Sequence, residues 1–368
     1  MKRLQYAMVG GAEGSFIGPI HRMAIRMDDL ADLAAGCFSR DPRKNAASAA
    51  SYRLDPARVY ADWQSLLAAE CGTVDFLVIC TTNESHYAIA RAALEAGLDV
   101  FCEKPLSLTV REAEALGRLA ARKGRILGIP FTYTGYPMVK LARDLVAKGA
   151  LGKIDRVTLE YVQGSFRRKN ASSKAWKTDP AIAGPSCVVA DIGVHAFTML
   201  EYVTSLKAES LLADISSFST GPELEDDASV LLRLEKGATC TLVTSKVATG
   251  EENGVRLRVY GAKASLCWDQ ESPNYLHVKY ADEPERVYKR KASYVSALSP
   301  GSVAASRFPA GHHEGFVEAL ANIYDAFVSA VRTRKAGDFP GAVAGARSMR
   351  FVEAVLKSAR NRSRWTKI

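Results

Sequence analysis

The chain has 368 residues, which is more than one ordinary core needs and suits two domains. Hydrophobic residues make up 48% and charged residues 24% of it, as in soluble globular proteins, so disordered and fibrous classes are excluded. The 49 basic and 40 acidic residues give a net charge of +9 that is spread along the chain. Because no basic-aromatic nucleic-acid module accompanies this charge, we expect no nucleic-acid partner, and an anionic cofactor or substrate would explain the excess equally well.

Cysteine and histidine spacing predicts neither a disulfide framework nor a metal site. The seven cysteines contain no C-x-x-C pair, and the six histidines contain no H-x-x-x-H pair. No apolar run reaches membrane-spanning length, and MKRLQYAMVGG leads straight into a strand pattern without leader features. We therefore expect a cytoplasmic protein with no metal and no membrane partner.

Strands and helices alternate through the first third of the chain. The predicted strands are Leu4–Gly10, Leu33–Phe38, Val74–Cys80, Asp99–Cys102 and Arg125–Ile129. The predicted helices between them are Ile17–Met27, Pro42–Tyr52, Ser85–Ala96 and Thr109–Lys123. This alternation indicates an α/β domain with a parallel sheet and right-handed crossovers. We assign residues 1–131 to an N-terminal Rossmann dinucleotide-binding domain.

In the remaining residues, 132–368, strands and helices no longer alternate. The predicted helices are Pro137–Lys148, Val189–Leu200, Gly315–Thr333 and Val343–Arg360. The predicted strands are Ile154–Val162, Ser210–Phe218, Ala228–Leu234, Thr239–Val247, Val255–Tyr260, Ala264–Trp268 and Tyr275–Tyr280, and Ser293–Arg307 reads as a loop. The turns at 235–237 and 261–263 are too short for crossovers, so they indicate antiparallel hairpins. We expect an α+β domain with a large open, mostly antiparallel sheet, whose uncovered face predicts a homodimer or homotetramer.

A glycine-rich turn follows the first strand and opens the first helix. This order suits a dinucleotide pyrophosphate, because glycine allows close approach and a helix N-terminus offers N–H groups. The match to G-x-G-x-x-G is imperfect, since Ala12 and Ser15 stand at two glycine positions and Gly14 and Gly18 take over. A tight turn without a ligand is the alternative. The predicted cofactor-binding residues here are Gly10, Gly11, Gly14, Ser15, Phe16 and Ile17.

The second strand ends in Ser39 and Arg40, where NAD-binding domains commonly place an acid. A serine followed by an arginine suits the 2′-phosphate of NADP, so the sequence leaves NAD and NADP open. In the alternative interpretation, Arg40 is a solvated turn residue.

Two short motifs hold candidate catalytic groups. Glu103-Lys104-Pro105 ends a parallel strand, where Lys104 can donate to a substrate oxygen or is simply solvated. Asp191-Ile192-Gly193-Val194-His195 places Asp191 and His195 on one face of a predicted helix, with Gly193 keeping that surface open. His195 can take the proton of an alcohol near neutral pH, or be a core histidine paired with an acid.

Together these motifs resemble the glucose–fructose oxidoreductase / inositol dehydrogenase / rhizopine-catabolism (Gfo/Idh/MocA) family over nearly the whole chain. The resemblance depends on the glycine turn, T-N-x-x-H at 82–86, E-K-P at 103–105 and D-x-G-x-H at 191–195. It implies that Lys104, Asp191 and His195 are catalytic, that Glu103 anchors the cofactor or the turn, and that Lys104–Pro105 is a cis peptide. It also implies that the nicotinamide ribose end is lined by Thr81, Thr82, Asn83 and His86. Thr82 stands where the family often has proline.

Aromatic and basic side chains near these motifs are candidates for substrate binding, because aromatic rings stack on sugar faces. Ordinary core packing and solvated loops are the alternatives. The candidates are Tyr133, Tyr136, Trp176, Lys177 and His312, with a basic run over residues 166–174.

The expected function is an NAD(P)-dependent oxidoreductase that interconverts an alcohol and a ketone on a sugar, sugar derivative or cyclitol. Lys104 of the first domain would face Asp191 and His195 of the second. One alternative is glycoside cleavage through transient C3 oxidation with tightly held NAD, and another is a non-catalytic dinucleotide sensor. The presence of Lys104 and His195 argues against the sensor, because a sensor needs neither side chain.

Overall fold

The computed structural model describes residues 3–167, 176–219 and 224–368. It divides into two compact units. The first contains the chain up to Pro130 together with Leu320–Ala346, and the second contains Phe131–Ala319 and Arg347–Ile368. The segment Leu320–Ala346 therefore differs from the expectation that residues 132–368 form the second domain.

The first unit has a five-stranded parallel sheet in the order β2-β1-β3-β4-β5. Its strands are β1 (Leu4–Gly10), β2 (Ala31–Cys37), β3 (Phe76–Cys80), β4 (Asp99–Cys102) and β5 (Leu127–Gly128). Its helices are α1 (Ile17–Met27), α2 (Pro42–Ser51), α3 (Trp63–Glu70), α4 (Asn83–Glu95) and α5 (Val110–Lys123). The predicted Rossmann sheet is confirmed, while α3, which begins after the capping carboxylate of Asp62, was not predicted.

Aromatic packing explains why Leu320–Ala346 belongs to the first unit. The ring of Phe327 lies 5.4 Å from that of Phe76 and 5.0 Å from that of Phe101. Tyr324 stacks on Phe101 at 4.2 Å. Both residues lie on a long helix, α11 (Phe316–Thr333). A sequence pattern shows that this helix has an apolar face, but it does not show which sheet the face covers.

The second unit has a nine-stranded sheet in the order β13-β12-β11-β10-β6-β9-β8-β7-β14. Its strands are β6 (Ile154–Val162), β7 (Ala208–Ser216), β8 (Asp227–Leu234), β9 (Thr239–Ser245), β10 (Gly254–Gly261), β11 (Ser265–Asp269), β12 (Tyr275–Lys279), β13 (Arg286–Lys289) and β14 (Thr366–Lys367). The predicted hairpins β8–β9 and β10–β11 are antiparallel, whereas β6 and β9 pair in parallel. The two edge strands, β13 and β14, were not predicted.

The helices of the second unit are α6 (Pro137–Ala147), α7 (Pro180–Ala183), α8 (Val194–Thr204), α9 (Val295–Leu298) and α10 (Pro300–Ala304), with parts of α11 and of α12 (Ala342–Arg360). Two short helices therefore replace the loop predicted over Ser293–Arg307, and the side chain of Ser299 caps the second of them. Within the described ranges, no helix combines the length and the apolar character needed to cross a bilayer.

Candidate active site

The glycine turn after β1 is closely packed at its base and open at its tip. Gly10, Gly11 and Gly14 have φ values of 79°, 73° and 81°, which residues other than glycine rarely adopt. A Cβ atom at Gly10 would lie 2.5 Å from the carbonyl oxygen of Cys80, and one at Gly18 would lie 2.3 Å from the Cα of Gly11. A Cβ at Gly14 would meet nothing within 4 Å.

Two side chains from the region of α2 brace this turn. The hydroxyl of Tyr52 donates to the carbonyl oxygen of Gly11 at 2.6 Å. The hydroxyl of Ser48 accepts from the backbone N–H of Glu13 at 2.9 Å. The turn is therefore held in one shape by the protein itself.

The turn leads into the N-terminus of α1, which begins at Ile17 after the exposed side chain of Phe16. The backbone N–H of Ser15 donates to Ala12 at 2.9 Å, within the turn. Open space at Gly14, a helix N-terminus and the carboxyl end of β1 together fit a dinucleotide pyrophosphate. Backbone groups of this turn and of the first turn of α1 would hold it.

Of the two polar side chains that follow β2, Arg40 is exposed and Ser39 is half-buried. The side chain of Arg40 is 93% exposed and lies 3.6 Å from the carboxylate of Glu84. The hydroxyl of Ser39 accepts from the backbone N–H of Asp41 at 3.1 Å, and the hydroxyl of Thr82 donates to Glu84 at 2.7 Å. The guanidinium of Arg40 thus forms a long ion pair with Glu84 and is exposed enough to contact a ligand.

The loop after β3 carries Thr81 and Thr82, and α4 begins at Asn83. His86 in the first turn of α4 is fully buried, with its ring nitrogens 2.8 Å from the carbonyl oxygen of Pro105 and 3.1 Å from that of Thr81. Burial lowers the pKa of His86, which favours the neutral ring. His86 thus contacts backbone oxygens of two loops, the loop after β3 and the loop after β4.

The E-K-P turn after β4 has a buried acid at its base. Glu103 lies 2.8 Å from Nε2 of His21, whose Nδ1 lies 2.6 Å from the hydroxyl of Tyr324. The other oxygen of Glu103 accepts the backbone N–H of Lys104 at 3.1 Å. Burial alone would raise the pKa of Glu103, but the hydrogen bond from His21 and the nearby charges bring it below its usual value. The Lys104–Pro105 peptide is cis, as the resemblance implied.

In the second unit, two lysines converge on Asp191. The Nζ atoms of Lys177 and Lys246 each lie 2.6 Å from Oδ2 of Asp191. Lys246 is buried, and its ammonium lies 5.0 Å from the centre of the Phe166 ring. Burial alone would lower the pKa of Lys246, but the charge of Asp191 raises it above its usual value. The cluster is therefore an ionised carboxylate held between two cations.

Asp191 does not lie on a plain α-helix. Val189–Gly193 form a π-helical turn that leads directly into α8 at Val194, so Asp191 and His195 lie on two successive helical segments rather than on the single predicted helix Val189–Leu200. The buried carboxylate of Glu225 accepts the N–H groups of Cys187 and Val189 at 3.0 and 3.2 Å and so caps this turn. The expected open surface at Gly193 is also wrong, because a Cβ there would pack 3.4 Å from neighbouring side chains.

His195 lies within a cluster of aromatic rings. Its ring centroid is 5.6 Å from that of Phe131 and 5.3 Å from that of Tyr133, both edge-on, and 6.2 Å from that of Tyr161. Of the predicted substrate residues, Tyr133 is thus next to the predicted catalytic histidine.

Hydroxyl and amide groups form a relay beside His195. Tyr133 donates to Tyr161 at 2.7 Å, Tyr161 donates to Asn253 at 3.0 Å, and the Asn253 amide donates back to Tyr133 at 3.0 Å. Gln163 donates to Asn253 at 2.7 Å. Burial raises the pKa of Tyr133 to about 12, so its hydroxyl stays protonated at neutral pH.

The other substrate candidates have diverse surroundings. Tyr136 is buried, stacks on Tyr133 at 6.1 Å and packs against Trp268, which is ordinary core packing. Trp176 lies beside Lys177, whose ammonium is 5.6 Å from the Trp176 ring. His312 is exposed, and its carbonyl oxygen accepts from Arg290. Residues 168–174 of the basic run lie outside the described residues.

Sequence reasoning missed His21, Tyr324, Lys246 and Asn253. A signal existed for His21, which falls on the buried face of α1 together with Ala24 and Ile25. A polar residue at such a position needs a partner. Lys246 directly follows β9, but no short motif marks it, because its partner Asp191 is 55 residues away.

Two family models cover most of the chain. A model described as an oxidoreductase family with an NAD-binding Rossmann fold matches residues 4–131. A second, described as the GFO/IDH/MocA C-terminal domain, matches residues 139–267.

Similar proteins extend over the whole length. An uncharacterized oxidoreductase of Bacillus subtilis (strain 168), YfiI, is 35% identical over 383 residues, which cover 99% of this chain and 96% of the relative. An inositol dehydrogenase homolog from Azotobacter vinelandii, crystallised with NAD+, is 34% identical with a TM-score of 0.95, covering 100% of this chain and 98% of that one. A structure of an inositol dehydrogenase homolog from the same organism with NADH and myo-inositol is 33% identical with a TM-score of 0.93, at the same coverage.

Proposed function

This chain belongs to the GFO/IDH/MocA oxidoreductase family and has its NAD-binding Rossmann fold, and from that premise we propose that it interconverts an alcohol and a ketone on a sugar, sugar derivative or cyclitol. The observation that carries the proposal is the polar cluster beside His195, in which hydrogen bonds join the hydroxyl groups of Tyr133 and Tyr161 to the amide of Asn253. Groups that both donate and accept suit a polyhydroxylated ligand. The myo-inositol in the structure of a 33% identical relative supports the same class of substrate.

We assign the proton chemistry to three residues. Bound NAD+ supplies a hydride acceptor for the carbon that bears the hydroxyl. His195 takes the hydroxyl proton, Lys104 donates a hydrogen bond to a substrate oxygen, and Asp191 sets the local charge in its own unit. Tyr133 is a poor base at neutral pH because burial raises its pKa to about 12, so we favour His195 as the acceptor.

Activity is tested by screening purified enzyme with NAD+ and NADP+ against pyranoses, sugar acids, glycosides and cyclitols including myo-inositol. The expected result is formation of NADH or NADPH with at least one polyol. Release of an aglycone without net reduction of the cofactor would indicate the glycoside-cleaving reaction instead.

The residue assignment is tested with Lys104→Ala and His195→Ala. Each should lose on the order of 10²–10⁴-fold in kcat, because a positioned acid–base group contributes about that much. NADH binding, measured by fluorescence, should persist in both variants. Wild-type turnover by both would contradict the catalytic assignment, and loss of NADH binding would move these residues to the cofactor site.

We also propose that NADP(H) binds at least as well as NAD(H), because the exposed guanidinium of Arg40 can pair with a 2′-phosphate. Arg40→Ala should weaken NADP(H) and leave NAD(H) unchanged. Arg43→Ala is a matched control, since it removes the same charge from an exposed position three residues away. Equal NADP affinity in wild type and Arg40→Ala would contradict this specificity.

The proposed assembly is a homodimer or homotetramer formed through the open face of the nine-stranded sheet. Its support is the strict alternation along β8, where Ser229, Leu231 and Arg233 are exposed between buried neighbours. Light scattering at micromolar concentration should give a mass of two or four chains, and a monomer would contradict it.

A further inference from the structure

Three buried side chains of the first unit form a continuous hydrogen-bonded line. Tyr324 of α11 contacts His21 of α1 at 2.6 Å, and His21 contacts Glu103 after β4 at 2.8 Å. Tyr324 and His21 are fully buried, and Glu103 is nearly so. Tyr324 is 303 residues from His21 in the chain, and Glu103 is 82 residues from it. Only folding of the unit therefore brings these side chains together.

One arrangement of protons uses every polar atom of the line. The hydroxyl of Tyr324 donates to Nδ1 of His21, and the Nε2–H of His21 donates to the carboxylate of Glu103. Both ring nitrogens of His21 then have a partner, which fixes the orientation of the ring. Within the described part of the chain, the Tyr324 hydroxyl has His21 as its hydrogen-bond partner.

The line ends on the E-K-P turn. The second oxygen of Glu103 accepts the backbone N–H of Lys104 at 3.1 Å, so the carboxylate connects His21 to Lys104. On the far side of the turn, His86 meets the carbonyl oxygen of Pro105 at 2.8 Å. The backbone of Lys104 is thereby fixed between two buried histidines from two different helices.

We propose that His21 and Tyr324 are positioning residues for Lys104, acting through the carboxylate of Glu103 to hold the E-K-P turn in the orientation that catalysis needs. This inference depends on the proposed role of Lys104. The residues do not touch the substrate, because His21 and Tyr324 are fully buried. Their effect is on geometry, and misplacement of a reacting group by about 1 Å can cost on the order of 100-fold in rate.

The competing explanation is that the line merely satisfies polar groups in the core of the sheet. In that case its loss would lower the stability of the unit and leave turnover of the folded enzyme unchanged. The positioning role instead requires a loss of kcat in folded protein, with little change in KM for the dinucleotide.

The central variants are His21→Leu, which removes the donor to Glu103, and His21→Gln, whose amide N–H can still reach it. With the polyol that the screen selects, His21→Leu should lose roughly 10- to 100-fold in kcat, and His21→Gln should recover most of that loss. Circular dichroism and NADH fluorescence establish that each variant is folded and binds cofactor. Wild-type kcat in folded His21→Leu would overturn the proposal.

A pair of tyrosine variants guards against failure of His21→Leu to fold. Tyr324→Phe removes only the hydroxyl that faces His21. Tyr6→Phe is the matched control, since Tyr6 of β1 is equally buried in the same unit and its hydroxyl has no hydrogen-bond partner within residues 3–167, 176–219 and 224–368. Tyr324→Phe should lower kcat and Tyr6→Phe should not. Equal kcat in both would overturn the positioning role.

Nuclear magnetic resonance of ¹⁵N-histidine-labelled enzyme without substrate gives a readout independent of activity. We expect Nε2 of His21 to carry a proton, since it faces the carboxylate of Glu103, and Tyr324→Phe to change the ¹⁵N signals of the ring. An Nε2 without a proton in the wild type would contradict the line.

Lys104→Ala separates this inference from the proposed function. If Lys104 acts as proposed, adding His21→Leu to Lys104→Ala should cause no further loss of kcat. Impaired Lys104→Ala with fully active His21→Leu would overturn the positioning role alone. Fully active Lys104→Ala would instead overturn the proposed role of Lys104.

Discussion

The two motifs hold their carboxylates in contrasting ways. Glu103 at the E-K-P turn is bonded by one ring nitrogen of His21 and one backbone N–H. Asp191 in the D-x-G-x-H segment is held by the ammonium groups of Lys177 and Lys246. The first arrangement depends on directional hydrogen bonds, and the second depends on opposite charges in a partly desolvated cluster. The same kind of side chain should therefore respond differently to neutralisation in the two places.

The largest effect should follow from neutralising Asp191. Asp191→Asn leaves the buried ammonium of Lys246 without its counter-charge, and breaking such a pair typically costs about 3–5 kcal/mol. Urea unfolding of the wild type and the variant measures the loss. The double variant Asp191→Asn/Lys246→Met should regain much of it, because the stranded charge is gone. If Asp191→Asn lowers the free energy of unfolding no more than a surface substitution does, opposite charges do not hold this cluster together.

Two glycine variants test how much of the first unit depends on close packing. Gly10 and Gly14 have nearly the same φ, 79° and 81°, so alanine costs about 1–2 kcal/mol in backbone strain at each. Only at Gly10 would the new Cβ lie 2.5 Å from a backbone oxygen, which should add on the order of 1–3 kcal/mol. Thermal unfolding should rank Gly10→Ala below Gly14→Ala. Equal stability would show that the turn can relax.

Glu103→Gln should have a smaller effect than Asp191→Asn, about 1–3 kcal/mol at neutral pH, because an amide keeps the acceptor for His21. The folded pKa of Glu103 is lowered, so its ionised form adds stability above the unfolded pKa of about 4.3. The difference between wild type and variant should shrink as pH falls below that value and close as pH passes the lower folded pKa. Unfolding at a series of pH values measures this, and a constant difference would show that ionisation of Glu103 does not matter.

The smallest effect concerns Tyr133, whose hydroxyl contacts Tyr161 and Asn253. Tyr133→Phe should cost about 1 kcal/mol in stability, as expected for one hydrogen bond. The pH profile of kcat should stay unchanged, since Tyr133 is protonated at neutral pH in the wild type. A shifted profile would indicate that Tyr133, rather than His195, exchanges the proton.

The sequence by itself determined the class of fold and most of its elements. Buried runs such as Phe76–Cys80 and glycine-ended helices such as Val110–Lys123 carry local signals, because strands buried on both faces are continuously apolar and Gly124 takes the left-handed conformation. The motifs likewise predicted the oxidoreductase family, which the comparisons confirm. The assignment of individual site residues stays a prediction.

Only the tertiary structure decided which distant groups meet. The aromatic face of α11 could have covered either sheet, and packing of Phe327 on Phe76 and Phe101 assigned Leu320–Ala346 to the first unit. The π-helical turn at Asp191 likewise depends on Glu225, a cap from a remote segment. Local periodicity records the face that a segment buries, whereas the partner of a buried charge is fixed by the fold, because desolvation must be offset by whichever group the chain brings within hydrogen-bond distance.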